Sequence, residues 1–499
     1  MAVDDDRTPL LASDKKHLGV VSSMFLMVNY IIGTGIFSIP SAVYLAVGSV
    51  GWSLVFWVLG GFVAYCGFNV YFEWGLEMPR SGGEKNYLAR LFPQPKHLSL
   101  AVFAMSSFFL GSSASNSFSF GTYIQLALGS DFPDTSRSKW IGCGLIFCVG
   151  ALFTVAPRVG KFAFNILGVI KILMLVFVAG LGVLVYFDLL EVAGGKPDNF
   201  KDAFRSDGFG GGAYNLAIAF LRVSYSYRGW ESPNHVMGEV YRPERTLAIA
   251  GPLALACSTF LYFLSNVAYF LVVPKEDILT SGNAIAGIFF QRLFGPFASA
   301  RILSFFICLS NLGNILAVCY SSSRVILELG RLYILPVSSF FSTLMPFGTP
   351  SGALALHVVV TICTLILPPS DEVYNLVIDM TSYPASIFAL IVTAGLLYLQ
   401  LNASRLGWRQ TSIRHEAPIP LTMVFLLVNL AMVVFAWVPP LDDQKTKLPY
   451  YTSPLCALLV LFSGYFYWLW WRNSEGAKKL DQLIDEYGYA REEAVLNIA

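Results

Sequence analysis

From Leu18 to Phe72 the chain contains no Asp, Glu, Lys or Arg. A stretch of that length without charge cannot stay in water, and it suffices for two helices across a hydrocarbon core about 30 Å thick. Only Gly48-Ser49-Val50-Gly51 separates the two, so they form a tight hairpin. The pattern recurs along the chain. Twelve candidate spans lie near 18–46, 50–74, 98–128, 140–157, 162–187, 212–238, 246–273, 299–327, 351–367, 373–400, 418–438 and 450–471, numbered here span 1 to span 12. With 55% hydrophobic and only 13% charged residues among 499, the chain reads as an all-α polytopic membrane protein embedded in the lipid bilayer.

Charge sets the orientation. The larger share of the 33 lysines and arginines falls in segments 1–17, 75–97, 158–161, 239–245, 324–350, 401–417 and 472–499. The positive-inside bias therefore puts both termini, tails 1–17 and 472–499, in the cytoplasm around a membrane unit spanning 18–471. The acidic loop 188–211 suits the outer face. Met1 to Lys16 is polar, so no cleaved signal peptide is expected. The basic residues are balanced by 32 acidic ones and no basic run exceeds Lys15-Lys16 or Lys478-Lys479, which argues against nucleic-acid binding. All eight cysteines fall within spans, so structural disulfides and a Cys-rich metal site are not expected.

Two spans carry breaks. Ile31-Ile32-Gly33-Thr34-Gly35-Ile36-Phe37 interrupts span 1, and Tyr225-Ser226-Tyr227-Arg228-Gly229-Trp230 interrupts span 6. Unwound backbone persists at membrane depth only where it lines a protein cavity, so the two breaks point to a binding site near mid-membrane. Amides of Thr34, Gly35 and Ile36 at the start of a half-helix suit a carboxylate, and carbonyls near Asn29 to Ile31 suit an ammonium group. An α-amino acid carries both. Close glycine packing between helices is the alternative reading of the first break. Because the second break comes five spans after the first, spans 1–5 (18–187) and 6–10 (212–400) are expected to form a five-plus-five inverted repeat with discontinuous helices 1 and 6, leaving spans 11 and 12 (418–471) outside it.

On these residues the chain resembles the amino-acid–polyamine–organocation superfamily, in its L-type amino-acid transporter branch, and within it the fungal high-affinity methionine permeases. The resemblance is carried by Gly33 to Phe37, Gly82 to Leu88, Asn165 to Gly168 leading to Lys171, Gly238 to Val240 with Arg245 to Leu247, Asn266 to Phe270 with Val273 to Lys275, and Leu312 to Asn314 followed by Gly330-Arg331. It implies that a substrate carboxylate meets the Thr34 and Gly35 amides. It implies that the amine meets the carbonyls of Ile31, Tyr225 and Arg228, and that Tyr225 and Trp230 close the pocket, with Gly33, Ile36, Ser226 and Gly229 completing it. Ordinary core packing is the alternative for the two aromatics. Lys171, alone in span 5, costs about 2.5–3.5 kcal/mol to insert and must pair, snorkel or titrate. The resemblance implies that it takes the place of a sodium ion between spans 1 and 8, beside Asn314, and carries a coupling proton; a purely structural lysine is the alternative. Similar transporters that work with a disulfide-linked heavy chain have a cysteine between spans 3 and 4. Here Gly129 to Lys139 has none, so no such partner is expected.

Arg228 departs from the pattern, which favours a small or neutral residue there. Either it forms an ion pair with Asp379 or Glu231, or it recognises a second anionic group on the substrate. His235 and His357 are expected as packed helix residues, and Glu73 and Glu77, with Arg80 and Lys85 nearby, as a solvated helix end, a gate salt bridge being the alternative. Leu480, Leu483, Ile484 and Tyr487 suit a tail lying on the inner membrane surface. No catalytic motif or nucleotide domain is evident, so neither an enzyme, a cofactor nor an ATP-driven pump is expected. The sequence thus predicts a proton-coupled plasma-membrane importer of a neutral amino acid, methionine in particular. The alternatives are a nutrient sensor of the same fold, against which the short tails argue, and a carrier of substrates with an extra anionic group.

Overall fold

The computed structural model describes residues 16–487 except 131, 209, 282–284, 369–375, 378–379, 404–414 and 440–448. Among the described residues eight helices are long and apolar enough to cross a membrane: Val50–Glu77, Leu98–Ala127, Thr135–Val155, Pro157–Tyr186, Pro243–Val272, Ile285–Arg331, Ser382–Leu401 and Thr452–Trp471. A ninth span is the pair Val20–Ile31 and Gly35–Val47, bent by 49°. Shorter apolar helices Ser351–Ile366 and Ile419–Phe435 stand at spans 9 and 11, and Gly212–Ser226 with Ser232–His235 at span 6. Helices thus fall at every position where the hydropathy pattern places a span, and the architecture is the all-α polytopic fold.

Several limits differ from the hydropathy reading. Span 4 starts at Thr135 because Asp134 caps it, accepting from the Arg137 amide at 3.1 Å. The helix of span 8 begins at Ile285 and bends at Gly295 (φ 81°), just before Pro296. Span 3 has a break that hydropathy does not show, between Leu98–Leu110 and Ala114–Ala127. Span 9 satisfies the freed groups there: Thr361 accepts from the Ser113 amide at 3.2 Å, and His357 Nε2 lies 3.0 Å from Ser113 Oγ. Glu73 is no solvated helix end. It is 2% exposed and accepts from Gln400 Nε2 at 2.7 Å and the Ala417 amide at 2.8 Å. The tail helix Glu475–Tyr487 spends Leu480 on the protein rather than on a membrane surface: Leu480 is buried and Asp481 binds His97 at 3.1 Å and Lys96 at 3.4 Å. The side chains of 483–487 lie outside the described residues.

The packing divides span 1 between two neighbourhoods. Its first half lies against spans 5, 7 and 8, and its second half against the first half of span 6. The loop after span 5 straps that second half from beyond: the Asp207 amide donates to Gly48 O at 2.9 Å, Tyr44 hydroxyl donates to Asp207 Oδ2 at 2.8 Å, and Lys275 pairs with Asp207 at 2.7 Å. At the other end Leu18 and Val240 form a parallel bridge. There Glu239 binds Arg324 Nε at 2.8 Å, His17 at 3.3 Å and the Tyr320 hydroxyl. Burial opposes ionisation of Glu239, but Arg324 and His17 beside it hold its carboxyl below the usual range.

Candidate functional site

A helix that stops at Ile31 leaves its last carbonyls without intrahelical donors. In lipid each would cost several kcal/mol, so the fold must supply donors. Lys171, fully buried, donates from Nζ to Asn29 O at 2.8 Å and to Ile32 O at 2.6 Å. Asn314 Nδ2 reaches Asn29 O at 3.3 Å and Tyr30 O at 3.2 Å, while Ser310 hydroxyl donates to Ile32 O at 3.1 Å. Tyr262 hydroxyl donates to Ile31 O at 2.7 Å. A lysine without a carboxylate is tolerable here because it sits at the negative end of a half-helix. Lys171 and Asn314 meet at one carbonyl, that of Asn29, and Gly313 lets them approach: a Cβ there would stand 2.9 Å from Lys171 Cε.

The other side of the break is open. Gly33, Thr34 and Gly35 are half-buried, and a Cβ added to Gly33 would meet nothing within 4 Å. The half-helix Gly35–Val47 starts here, so the first amides, those of Gly35 and Ile36, have no carbonyl four residues back within the helix. Amides at the positive end of a helix suit an anion.

The second break lies against the first. Gly229 (φ 124°) packs so closely on Tyr30 and Ile31 that a Cβ would stand 2.3 Å from Tyr30 Cβ. Ser226 Oγ lies 3.0 Å from where a Cβ on Gly35 would be. Tyr262 joins the two breaks, donating also to Ser226 O at 3.3 Å. The structure therefore brings together Ile31, Gly33, Thr34, Gly35, Ile36, Ser226, Gly229, Lys171 and Asn314. Tyr225 and Trp230 stand differently. The Tyr225 side chain is exposed, and its carbonyl accepts from the Arg228 amide at 3.1 Å. The Trp230 ring turns to spans 2 and 11, edge-on to Tyr71 at 4.9 Å and to Phe425 at 5.3 Å. Arg228 Nε lies 4.0 Å from Glu231 Oε1, and its Nη1 donates to Ser382 O at 3.3 Å. Asp379, the other partner expected for it, lies outside the described residues.

The Gly82-Gly83 turn after span 2 clamps the second half of span 6. Its amides donate to His235 O and Asn234 O, each at 3.1 Å, and Tyr87 hydroxyl donates to Asn234 Oδ1 at 2.8 Å. Both glycines have positive φ, and a Cβ on Gly83 would stand 2.7 Å from the His235 ring. Glu84 pairs with His235 at 3.1 Å, so this histidine is an ion-pair partner as well as a packed residue. Burial opposes ionisation of Glu84, but His235 holds its carboxyl below the usual range.

Sequence reasoning missed Tyr262 and Ser310. The only signal is polarity: a hydroxyl in an apolar span needs a partner, and no pattern says which.

The profile of the family described as "Amino acid permease" matches residues 18–462. The chain belongs to that family. Over 474 residues, 92% of this chain, the permease is 34% identical to the high-affinity methionine permease of Saccharomyces cerevisiae, covering 80% of that protein. It is 32% identical to the low-affinity methionine permease of the same yeast, over 91% of this chain and 82% of that protein. The b(0,+)-type amino acid transporter 1 of Homo sapiens is 28% identical, with 95% of this permease and 92% of that transporter covered. These relatives are transporters, not enzymes.

Proposed function

We propose that this permease imports a neutral amino acid, methionine foremost, across the plasma membrane by alternating access, with both termini cytoplasmic. The observation that carries the reading is the asymmetry of the first break. Its carbonyls are occupied by Lys171, Asn314, Tyr262 and Ser310, whereas a Cβ on Gly33 would meet nothing within 4 Å and the amides of Gly35 and Ile36, which open the next half-helix, have no acceptor four residues back in that helix. A carboxylate suits the amide side. Two yeast relatives named as methionine permeases support methionine as the substrate.

The coupling ion is a proton carried by Lys171. In its present place the ammonium does what a bound cation would, holding the end of the first half-helix through Asn29 O and Ile32 O. Loss of its proton leaves two N–H donors but removes their charge, which weakens that hold and loosens span 1, linking protonation to movement of the half-helices. Spans 1–5 and 6–10 act as opposed repeats that rock about this point. No disulfide-linked heavy chain takes part.

The test is uptake of radiolabelled methionine into proteoliposomes, with and without an imposed inward proton gradient. Methionine uptake accelerated by the gradient is expected. Absence of uptake would overturn the substrate, and uptake indifferent to the gradient would overturn the coupling.

A further inference from the structure

We infer that Glu231 restricts this permease to substrates with an uncharged side chain, by occupying the anion position that Arg228 and the Gly229 amide would otherwise offer. The inference rests on the amino-acid reading proposed above and names the determinant of its substrate class.

Arg228 lies between the two residues of the second break that touch the first: Ser226 against Gly35, and Gly229 against Tyr30 and Ile31. Its guanidinium is 30% exposed, so it faces accessible space rather than a sealed core. An arginine in that position, next to the Gly229 backbone amide, is the kind of donor group that captures a carboxylate. A substrate held by its α-carboxylate at the first break would then present an acidic side chain to it.

The chain fills that position itself. Glu231 Oε2 accepts from the Gly229 amide at 2.9 Å, and Oε1 stands 4.0 Å from Arg228 Nε. The Gly229 amide is thus bonded to an internal carboxylate, and the guanidinium has that carboxylate at ion-pair distance while its Nη1 donates to Ser382 O. The neighbouring ionisable pair, Glu84 with His235, is closed on itself at 3.1 Å. Arg228 and Glu231 together leave the second break without net charge, so a charged substrate side chain finds no unmatched counter-charge there to offset its desolvation. Neither charge is needed to hold a zwitterion, whose carboxylate goes to Gly35 and Ile36. Their joint effect is exclusion.

The experiment uses the full-length purified permease, with thermal protection by single amino acids and competition against methionine uptake as readouts. Glu231→Gln should increase the affinity for glutamate and aspartate about tenfold, the worth of one charge-assisted contact. Arg228→Gln should do the same for lysine and arginine, and it tests the claim from the opposite charge should Glu231→Gln fail to fold. The double variant should regain the wild-type order of preference. Single variants that keep the wild-type order, or a wild type protected equally by glutamate and methionine, would overturn the role of Glu231. A wild type protected by no amino acid would instead overturn the function on which it rests.

Discussion

Replacing Lys171 with methionine separates its two roles. Nζ makes two hydrogen bonds, to Asn29 O at 2.8 Å and Ile32 O at 2.6 Å. A bond from a charged donor contributes about 1.5–3 kcal/mol, so losing both costs about 3–6 kcal/mol. Against this, the variant no longer inserts a cation, which releases about 2.5–3.5 kcal/mol. Asn314 and Ser310 still donate to the same two carbonyls, so neither is orphaned. The net loss is about 0.5–2.5 kcal/mol, too small to unfold a permease with this much buried surface. Lys171→Met should therefore purify with a slightly lowered Tm and still exchange methionine across proteoliposomes at equal pH. It should lose all acceleration by an inward proton gradient. Wild-type acceleration in this variant would refute the coupling role, and a collapse of Tm would refute the energetic argument.

Gly33→Ala adds a methyl group where nothing lies within 4 Å, so Tm should stay unchanged while KM for methionine rises roughly tenfold through lost approach to the amides; an unchanged KM would remove the ligand from this site. Gly229→Ala combines positive φ with a Cβ 2.3 Å from Tyr30 Cβ and should cost about 2–4 kcal/mol, read as a lower Tm and lost uptake. Glu239→Gln leaves Arg324 buried without its carboxylate, a loss of about 3–5 kcal/mol near neutral pH, visible in the melting curve. Because the folded-state value of Glu239 lies below its ordinary 4.5, its contribution is complete above that value and disappears as pH falls through the depressed one. Wild-type Tm should therefore decline in that acid window and the variant's should not; parallel curves would refute the assignment.

Much of this permease is legible in the sequence because lipid makes local demands. A span needs enough apolar residues in a row, whatever its neighbours, so the charge-free run from Leu18 to Phe72 and the later apolar stretches locate the helices. A break needs residues that tolerate unwinding, so Gly33, Gly35 and Gly229 mark the two discontinuous spans before any coordinates are known. The break in span 3 is less legible. Gly111 and two serines allow it, but what stabilises it is Thr361 and the contact with His357, residues far along the chain.

The same distinction holds at the site. That Lys171 must find partners follows from its place in an apolar segment; that the partners are carbonyls of Asn29 and Ile32 does not, since nothing periodic connects positions so far apart. Tyr262 reads as one more aromatic residue until the fold sets its hydroxyl between Ile31 O and Ser226 O. Glu231 reads as one candidate partner for Arg228, and only the turn at Gly229 directs its carboxylate to the neighbouring amide as well. The sequence by itself determined the spans, the two breaks and the need of each buried polar group for a partner, because those follow from the energy of single segments in lipid. Tertiary structure alone decided who the partners are, because a hydrogen bond depends on a few tenths of an ångström between residues that only packing brings together.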